Sequence, residues 1–224
     1  MTKIIIIGGK GTAVIIAEQI YDAIHKYNQK IEFLGFAFDD ETMGDSISGF
    51  PLLCKTYNAY KEYGKYNDVK FIYSLYRPDL MKVRVDLLHS FGIPVDRMYT
   101  FIHPTATILR SVKFGYGNVF LANVVANSNV VIGNNNTFNV GGLIGHDTVL
   151  GDNNFCAAQI CLGSNMKIGN GNFIGLNSSL RNFLQIGDYN IVGMHSNVTK
   201  DIENEDVLFG NPAKSKGKLN NIIR

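Results

Sequence analysis

The stretch FGYGNVFLANVVANSNVVIGNNNTFNVGGLIGHDTVLGDNN, residues 114–154, places an apolar residue at every sixth position. The same register runs without a slip from Ile102 to Val198, so that an apolar residue opens each of seventeen hexads. The apolar face of a helix recurs every 3.6 residues and that of a strand every two residues. A period of six over this length therefore predicts a solenoid.

A second period of eighteen residues is superimposed on the first, with IGNNN at Ile132, LGDNN at Leu150 and IGNGN at Ile168. Three hexads then form one coil, predicted as a triangle of three short strands with parallel ladders about 4.8 Å apart. Asparagine recurs at the fifth position, where we expect left-handed corners and stacked amides; these residues are Asn118, Asn136, Asn154, Asn172 and Asn190. The alternative folds, a right-handed solenoid and a β-sandwich, explain two unbroken periods less well. The spacing alone does not determine the handedness of the solenoid.

Composition excludes several classes of protein. Charged residues make up 18% of the 224 residues, a low share that favours a folded chain. The net charge is +2, which gives no electrostatic reason to expect binding to nucleic acid or to an anionic membrane. The apolar run Ile4–Ile7 is too short for a signal peptide or a membrane span, so a cytoplasmic protein is expected.

The three cysteines, Cys54, Cys156 and Cys161, have no metal-ligand spacing, and their odd number does not suggest a disulfide framework. No metal is expected. Cys156 falls on an inward hexad position and is interpreted as a small core residue, with a catalytic thiol as the alternative.

Residues 1–100 predict a Rossmann-like α/β domain, followed by the solenoid domain over residues 101–224. A strand from Lys3 to Gly8 precedes GGKGTA and an amphipathic helix, an arrangement that presents a helix N-terminus to an anion. The glycine turn would also form without a ligand. The nicotinamide fingerprint is incomplete, which disfavours an oxidoreductase. A second strand ends in Asp39 and Asp40, which can accept hydrogen bonds from a ribose or base, or cap the next turn.

His146 belongs to a column of polar residues spaced by eighteen, namely Ser128, His146, Ser164, Asn182 and Lys200. The column must face outward, so His146 is either an ordinary surface histidine or a general base.

GHDTVLGD, residues 145–152, preceded by Asn139, resembles the motif of the PglD/NeuD-type sugar acyltransferases of the hexapeptide-repeat superfamily. The resemblance extends over nearly the whole chain, through the glycine loop, IHPTA at Ile102 and GNPAK at Gly210. It implies a left-handed parallel β-helix, a homotrimer, a nucleotide-linked amino sugar on the N-terminal domain, and acetyl-CoA in grooves between subunits.

The resemblance also assigns site residues. His146 would be the general base, Asp147 its orienting carboxylate and Asn139 a residue that positions the acceptor. Contact between the consecutive side chains of His146 and Asp147 requires a corner in the chain. The sugar nucleotide would contact Gly9, Lys10, Gly11, Asp39 and Asp40. Acetyl-CoA would contact Gly175, Leu176, Gly193, Met194, Asn211, Pro212, Ala213 and Lys214.

Three departures from the family pattern concern the sugar nucleotide. Thr12 replaces a histidine common in the glycine loop, Phe155 replaces a second histidine, and Ser74-Leu75-Tyr76 replaces a Gly-Asn pair. The sequence thus predicts an acetyl-CoA-dependent N-acetyltransferase acting on a nucleotide-linked amino sugar for glycan biosynthesis. The alternatives are an O-acetyltransferase acting on a sugar or a small hydroxylated metabolite, and a non-catalytic sugar-nucleotide-binding scaffold.

Overall fold

An α/β region leads directly into a three-sided parallel β-helix in the computed structural model, which describes residues 1–219. The predicted second domain runs to Arg224, so residues 220–224 of it lie outside the described residues. The α/β region consists of β1 (Thr2–Ile7), α1 (Thr12–His25), β2 (Ile31–Ala37), β3 (Ser46–Ile47), β4 (Phe50–Cys54), α2 (Ala59–Tyr63), β5 (Val69–Tyr73) and α3 (Met81–Ser90).

The sheet of the α/β region has the order β3-β4-β2-β1-β5 and is parallel except for β3, which pairs antiparallel with β4. The run Ile4–Ile7 belongs to β1, an inner strand with neighbours on both sides, and is fully buried. Its alternate side chains pack on opposite sides, with α1 on one side and with α2 and α3 on the other. Burial on both faces explains why this strand is an uninterrupted apolar run.

β3 and β4 form a hairpin that the sequence analysis did not predict. Ser48 and Gly49 both adopt positive φ, of 50° and 80°, as the two central residues of a tight hairpin turn require. β4 then pairs with β2 although it contains Pro51. Proline is uncommon within strands because it cannot donate a backbone hydrogen bond.

The β-helix has three faces, numbered in chain order. Face 1 contains β6 (Phe101–Ile102), β9 (Val119–Phe120), β12 (Thr137–Phe138), β15 (Phe155–Cys156), β18 (Phe173–Ile174), β21 (Ile191–Val192), β23 (Asp206–Phe209) and β24 (Lys214–Lys218). Face 2 contains β7 (Thr107–Ile108), β10 (Val125–Ala126), β13 (Leu143–Ile144), β16 (Cys161–Leu162), β19 (Ser179–Leu180) and β22 (Asn197–Val198). Face 3 contains β8 (Lys113–Phe114), β11 (Val131–Ile132), β14 (Val149–Leu150), β17 (Lys167–Ile168) and β20 (Gln185–Ile186).

Both predicted periods are present in the structure. Each two-residue strand from β6 to β22 ends on the apolar residue that opens a hexad. The parallel ladders pair residues eighteen apart, as in Thr137 with Phe155. From Phe120 to Val198 these apolar residues point inward and are at most 4% exposed.

The stacked amides of these asparagines are confirmed, but the expected left-handed backbone at the same positions was wrong. In the middle of the stack, the side-chain amide of Asn154 donates to Asn136 Oδ1 at 3.0 Å, and Asn172 donates to Asn154 Oδ1 at 3.0 Å. Left-handed backbone falls one residue earlier, at every sixth position: Gly117, Asn123, Asn129, Asn135, Gly141, Asp147, Asn153, Gln159, Asn165, Gly171, Asn177, Phe183, Tyr189 and His195. Thus Asn136 is a buried amide in the stack, and its neighbour Asn135 makes the corner.

Face 1 is covered by the α/β region. Its outward residues Val119, Thr137 and Phe155 are at most 9% exposed, whereas the outward residues of face 3 that include Val131 and Val149 are exposed. Phe101 and Val119 share a core cluster with α1 and β1. The α/β region therefore packs against face 1 through two groups of apolar contacts, one around Phe101 and Val119 and one around Phe155 and Met81. Within residues 1–219, helices of the length and hydrophobicity needed to cross a membrane are absent.

Candidate active site

His146 and Asp147 form a hydrogen-bonded pair at the corner between faces 2 and 3, called the 2–3 corner. Asp147 has a φ of 58°, in the left-handed region. The chain turns there, so two consecutive side chains meet, with 2.7 Å between His146 Nδ1 and Asp147 Oδ2. The side chains are 55% and 44% exposed. The corner that the predicted contact required is therefore present.

Asn129, one coil earlier in the same corner column, holds the carboxylate from its other side. Its amide nitrogen lies 2.9 Å from Asp147 Oδ1. The hydrogen bond from His146, followed by the one from Asn129, lowers the pKa of Asp147 below its ordinary value. A carboxylate that accepts from Nδ1 assigns the proton of the neutral ring to Nδ1 and leaves the Nε2 lone pair facing outward. This arrangement can accept a proton from a nucleophile.

A separate pocket lies where the α/β region meets the corner between faces 1 and 2, called the 1–2 corner. Its volume is about 430 Å³. It is lined by Lys10, Gly11, Thr12, Ser74, Tyr76, Asn139, Phe155, Ala157, Phe173 and Leu176. The structure thus brings together three of the predicted substrate residues, Lys10, Gly11 and Asn139, with the predicted coenzyme residue Leu176. We call this cavity the acceptor pocket.

The glycines of the loop serve different purposes. Gly11 precedes α1 with a φ of 54°, and a Cβ added there would meet no heavy atom of residues 1–219 within 4 Å. Its Cα therefore faces the open acceptor pocket at the positive end of the α1 dipole. A Cβ on Gly9 would lie 2.6 Å from the ring of Phe38, so Gly9 is needed for packing.

Asp39 and Asp40 lie at the carboxyl end of β2, but their oxygens are already engaged. Asp39 accepts hydrogen bonds from the backbone N–H and the hydroxyl of Thr56. Asp40 accepts from Thr42 and forms an ion pair with Lys10 at 2.5 Å, and Lys10 is the main cause that lowers the pKa of Asp40 to about 2. Asp40 caps the turn that follows it, whereas Asp39 binds Thr56, seventeen residues along the chain. Both aspartates line neighbouring cavities rather than the acceptor pocket.

The predicted coenzyme residues Gly175, Leu176, Gly193 and Met194 occupy successive coils at the 1–2 corner. A Cβ on Gly175 would approach the backbone nitrogen of Met194 to 2.6 Å, so the close stacking of coils requires a glycine there. A Cβ on Gly193 would lie 2.0 Å from the ring of Phe209. Leu176 and Met194 are 49% and 66% exposed and form an apolar edge.

The turn Asn211–Lys214 is held against β22. Asn197 Nδ2 donates to Asn211 Oδ1 at 3.1 Å, and the Ala213 N–H donates to the carbonyl of Asn197 at 2.8 Å. Pro212 and Lys214 are exposed. Ala213, between them, is partly buried and packs against the β-helix core.

The predicted base and the predicted acceptor residues lie at different corners within one chain. His146 lies at the 2–3 corner, and Asn139 lies at the 1–2 corner, with face 2 between them. His146 therefore does not line the acceptor pocket of its own chain.

All three departures from the family pattern are found in the acceptor pocket. Thr12, Ser74, Tyr76 and Phe155 line it. Phe173 and Ala157 also line the pocket and were missed by the sequence analysis. Phe173 could have been found, because the outward residues of the face 1 strands from β6 to β21 are apolar except for Thr137, whereas those of the other two faces are mixed.

Cys156 belongs to the core of the β-helix. Cys156 is fully buried, as its hexad position predicted, and burial raises the pKa of its thiol to about 12. Clusters of three or more His, Cys, Asp or Glu side chains suited to a metal ion are absent from residues 1–219.

Three solved structures share this architecture along almost their whole length. A histidine-to-asparagine variant of perosamine N-acetyltransferase from Caulobacter crescentus, in complex with CoA and GDP-perosamine, has a TM-score of 0.81 at 22% identity, covering 97% of this chain and 98% of that one. The acetyltransferase domain of PglB from Neisseria gonorrhoeae has a TM-score of 0.82 at 24% identity, covering 96% and 100%. WeeI from Acinetobacter baumannii has a TM-score of 0.69 at 21% identity, covering 96% and 100%.

These likenesses establish the fold. No family model and no curated protein matches the chain. The similarity includes the α/β region as well as the β-helix, since it covers almost the full length of both chains.

Proposed function

We propose that this protein is an acetyl-CoA-dependent N-acetyltransferase that acts on the amino group of a nucleotide-linked amino sugar. The observation that carries the proposal is the exposed His146–Asp147–Asn129 arrangement, in a fold shared with enzymes solved with CoA and GDP-perosamine. Histidine variants of the perosamine enzyme were solved with both ligands, which fits a histidine at the reacting centre.

In the proposed reaction, the sugar amine attacks the thioester carbonyl carbon and a C–N bond forms. His146 Nε2 accepts the proton that the amine loses, Asp147 stabilises the resulting imidazolium, and the C–S bond breaks. The departing thiolate takes up the proton and leaves as CoA. A backbone N–H at a glycine corner would stabilise the oxyanion of the intermediate.

The site residues divide between the two substrates. Gly9, Lys10, Gly11, Asp39, Asp40 and Asn139 belong to the nucleotide-sugar side, carried by a Rossmann-like domain over residues 1–100. Gly175, Leu176, Gly193, Met194, Asn211, Pro212, Ala213 and Lys214 belong to the coenzyme side. The left-handed winding of residues 101–224, the role in glycan biosynthesis and the cytoplasmic location expected from the sequence are part of the same proposal.

We further propose a homotrimer whose active sites lie between subunits. Its support is the separation of His146 from Asn139 by face 2 within one chain. Closed threefold symmetry would let the 2–3 corner of one subunit face the 1–2 corner of its neighbour. The base would then meet the acceptor held by another copy.

A product assay tests the function. Purified protein is incubated with acetyl-CoA and a panel of GDP-, UDP- and dTDP-linked amino sugars, and products are identified by mass spectrometry. A product heavier by one acetyl group that survives mild base is an amide, whereas an ester would indicate the O-acetyltransferase alternative. Failure to bind acetyl-CoA in calorimetry would support the scaffold alternative.

The role of His146 is tested on the same reaction. His146→Ala should lower kcat by about a hundred- to ten-thousandfold, the range typical of a lost general base. His89→Ala removes another exposed histidine, at the end of α3, and should leave kcat unchanged. An unaltered kcat in His146→Ala would remove the histidine from the mechanism.

A further inference from the structure

The acceptor pocket has two chemically different walls. Lys10, Gly11, Thr12 and Ser74 form a wall with charge, backbone and hydroxyl groups. The β-helix forms the other wall, where Phe155, Ala157, Phe173 and Leu176 present carbon atoms. Asn139 also lines this side, and its Oδ1 already accepts a hydrogen bond from the Val140 N–H at 2.8 Å. A ligand of this pocket must therefore be polar on one side and apolar on the other.

The apolar wall is a rigid aromatic stack. The rings of Phe155 and Phe173 lie on adjacent coils with centroids 5.0 Å apart and planes at 3°. The pairing of β15 with β18 fixes this spacing, and Met81 of α3 packs against the stack. Phe155 is only 9% exposed, so its ring has little freedom to move aside for a bulkier ligand group.

Tyr76 adds no free hydrogen-bonding group to this wall. Its hydroxyl donates to the carbonyl of Asn135 at 2.8 Å and lies 3.2 Å from Asn153 Oδ1. Burial raises the pKa of Tyr76 well above its ordinary value, so the residue stays neutral. Tyr76 therefore faces the pocket with its ring, and a hydroxyl or carboxylate placed there would lose hydrogen bonds to water without replacement.

We propose that the stacked Phe155–Phe173 pair determines acceptor specificity by selecting a sugar whose edge at this wall carries neither a charge nor a hydroxyl. The proposal rests on the function proposed above, because it takes the acceptor pocket as the place where the amino sugar lies. The polar wall binds the phosphate-bearing side of the substrate, and the aromatic wall contacts the C–H groups of the ring and its substituent.

The test compares three acceptors that differ only at one ring substituent: methyl, hydroxymethyl or carboxylate. They carry the nucleotide on which the wild-type protein is most active. The wild-type protein should prefer methyl to hydroxymethyl in kcat/KM by roughly ten- to hundredfold, the discrimination typical of an apolar pocket. Turnover of the carboxylate should be weaker still.

Phe155→His keeps a flat ring and adds hydrogen-bonding nitrogen atoms, so the methyl preference should fall to within about threefold. Phe155→Tyr, which adds a single hydroxyl, serves as a second variant if the first does not fold. Both should change KM for the hydroxymethyl acceptor more than kcat. Phe114→His is the matched control, because Phe114 is 39% exposed on face 3 and outside the pocket.

The outcomes separate the two proposals. Absence of acetyl transfer by the wild-type protein to every acceptor would overturn the proposed function, and the specificity proposal with it. Transfer to all three acceptors at equal kcat/KM, or a preference that both Phe155 variants leave unchanged, would overturn the specificity proposal alone.

Discussion

At the scale of the residue, the left-handed backbone of Asp147 brings two consecutive side chains, His146 and Asp147, into one hydrogen-bonded pair. Sequence spacing predicted an outward histidine, and the family resemblance predicted its partner. Neither could show that a corner falls at Asp147, because any of the four residues between two strands could have made the turn. The contact from Asn129 was also missed, although the eighteen-residue period aligns Asn129 with Asp147.

Asp147→Asn tests this unit without disturbing the corner, since asparagine also tolerates left-handed backbone. We expect kcat to fall by about ten- to hundredfold, as for other groups that orient a reacting side chain. KM for acetyl-CoA should change little. Asp201→Asn is the control, an exposed aspartate of the last coil that accepts from the backbone of Gln185. If Asp147→Asn and the wild-type protein had equal kcat, the contact between Asp147 and His146 would not contribute to catalysis.

Phe183 occupies the same corner column, two coils above Asp147, and is unusual there. It has a φ of 66° and is 71% exposed. A left-handed conformation costs a residue with a bulky side chain about 1–2 kcal/mol, whereas asparagine tolerates it.

Phe183→Asn should therefore raise the free energy of unfolding by about 1 kcal/mol and Tm by about 2–4 °C. Asn165→Phe, the reverse substitution one coil below at a φ of 58°, should lower Tm by a similar amount. Thermal unfolding followed by circular dichroism measures both. A lower Tm in Phe183→Asn would show that the phenyl ring makes contacts worth more than the backbone strain.

At the scale of the element, the ladder of buried amides holds the coils in register. Asn154, which is fully buried, donates to Asn136 Oδ1 and to the carbonyl of Gly169, and accepts from Asn172. Asn154→Ala would leave several of these groups unpaired, at a cost of about 1–3 kcal/mol each. We expect the free energy of unfolding to fall by about 3 kcal/mol or more in denaturant titrations.

Asn170→Ala is the control for the ladder, because Asn170 is exposed and water can replace its side-chain contacts. Its free energy of unfolding should change by less than about 1 kcal/mol. Equal losses for Asn154→Ala and Asn170→Ala would contradict the special role of the buried stack.

The elements differ in how far the sequence determines them. The seventeen strands of the coils follow directly from the hexads, because every inward position is apolar. The hairpin β3–β4 does not, since its strands are short and Pro51 resembles a loop residue. The sequence analysis did not predict that the α/β region packs on face 1, because this depends on contacts between distant parts of the chain. The apolar outward residues Val119, Phe155 and Phe173 are the signal that could have shown which face is covered.

At the scale of the whole molecule, the arrangement of corners determines how many chains an active site needs. The acceptor pocket is made by one chain, since its α/β region and its 1–2 corner both line it. His146 of that chain lies beyond face 2. A subunit that supplies the base to its neighbour, and receives the base from another, would complete three sites in a closed trimer.

Subunit complementation tests this arrangement. His146→Ala and Asn139→Ala chains are coexpressed with different tags, and trimers that contain both are isolated. If each site combines His146 of one chain with Asn139 of the next, every mixed trimer contains one intact site of three, so its kcat should be about one third of the wild-type value. A chain carrying both substitutions, mixed with either single variant, should restore nothing because one of the two side chains is then missing from every site. Mixed trimers as inactive as the single variants would place base and acceptor on the same chain.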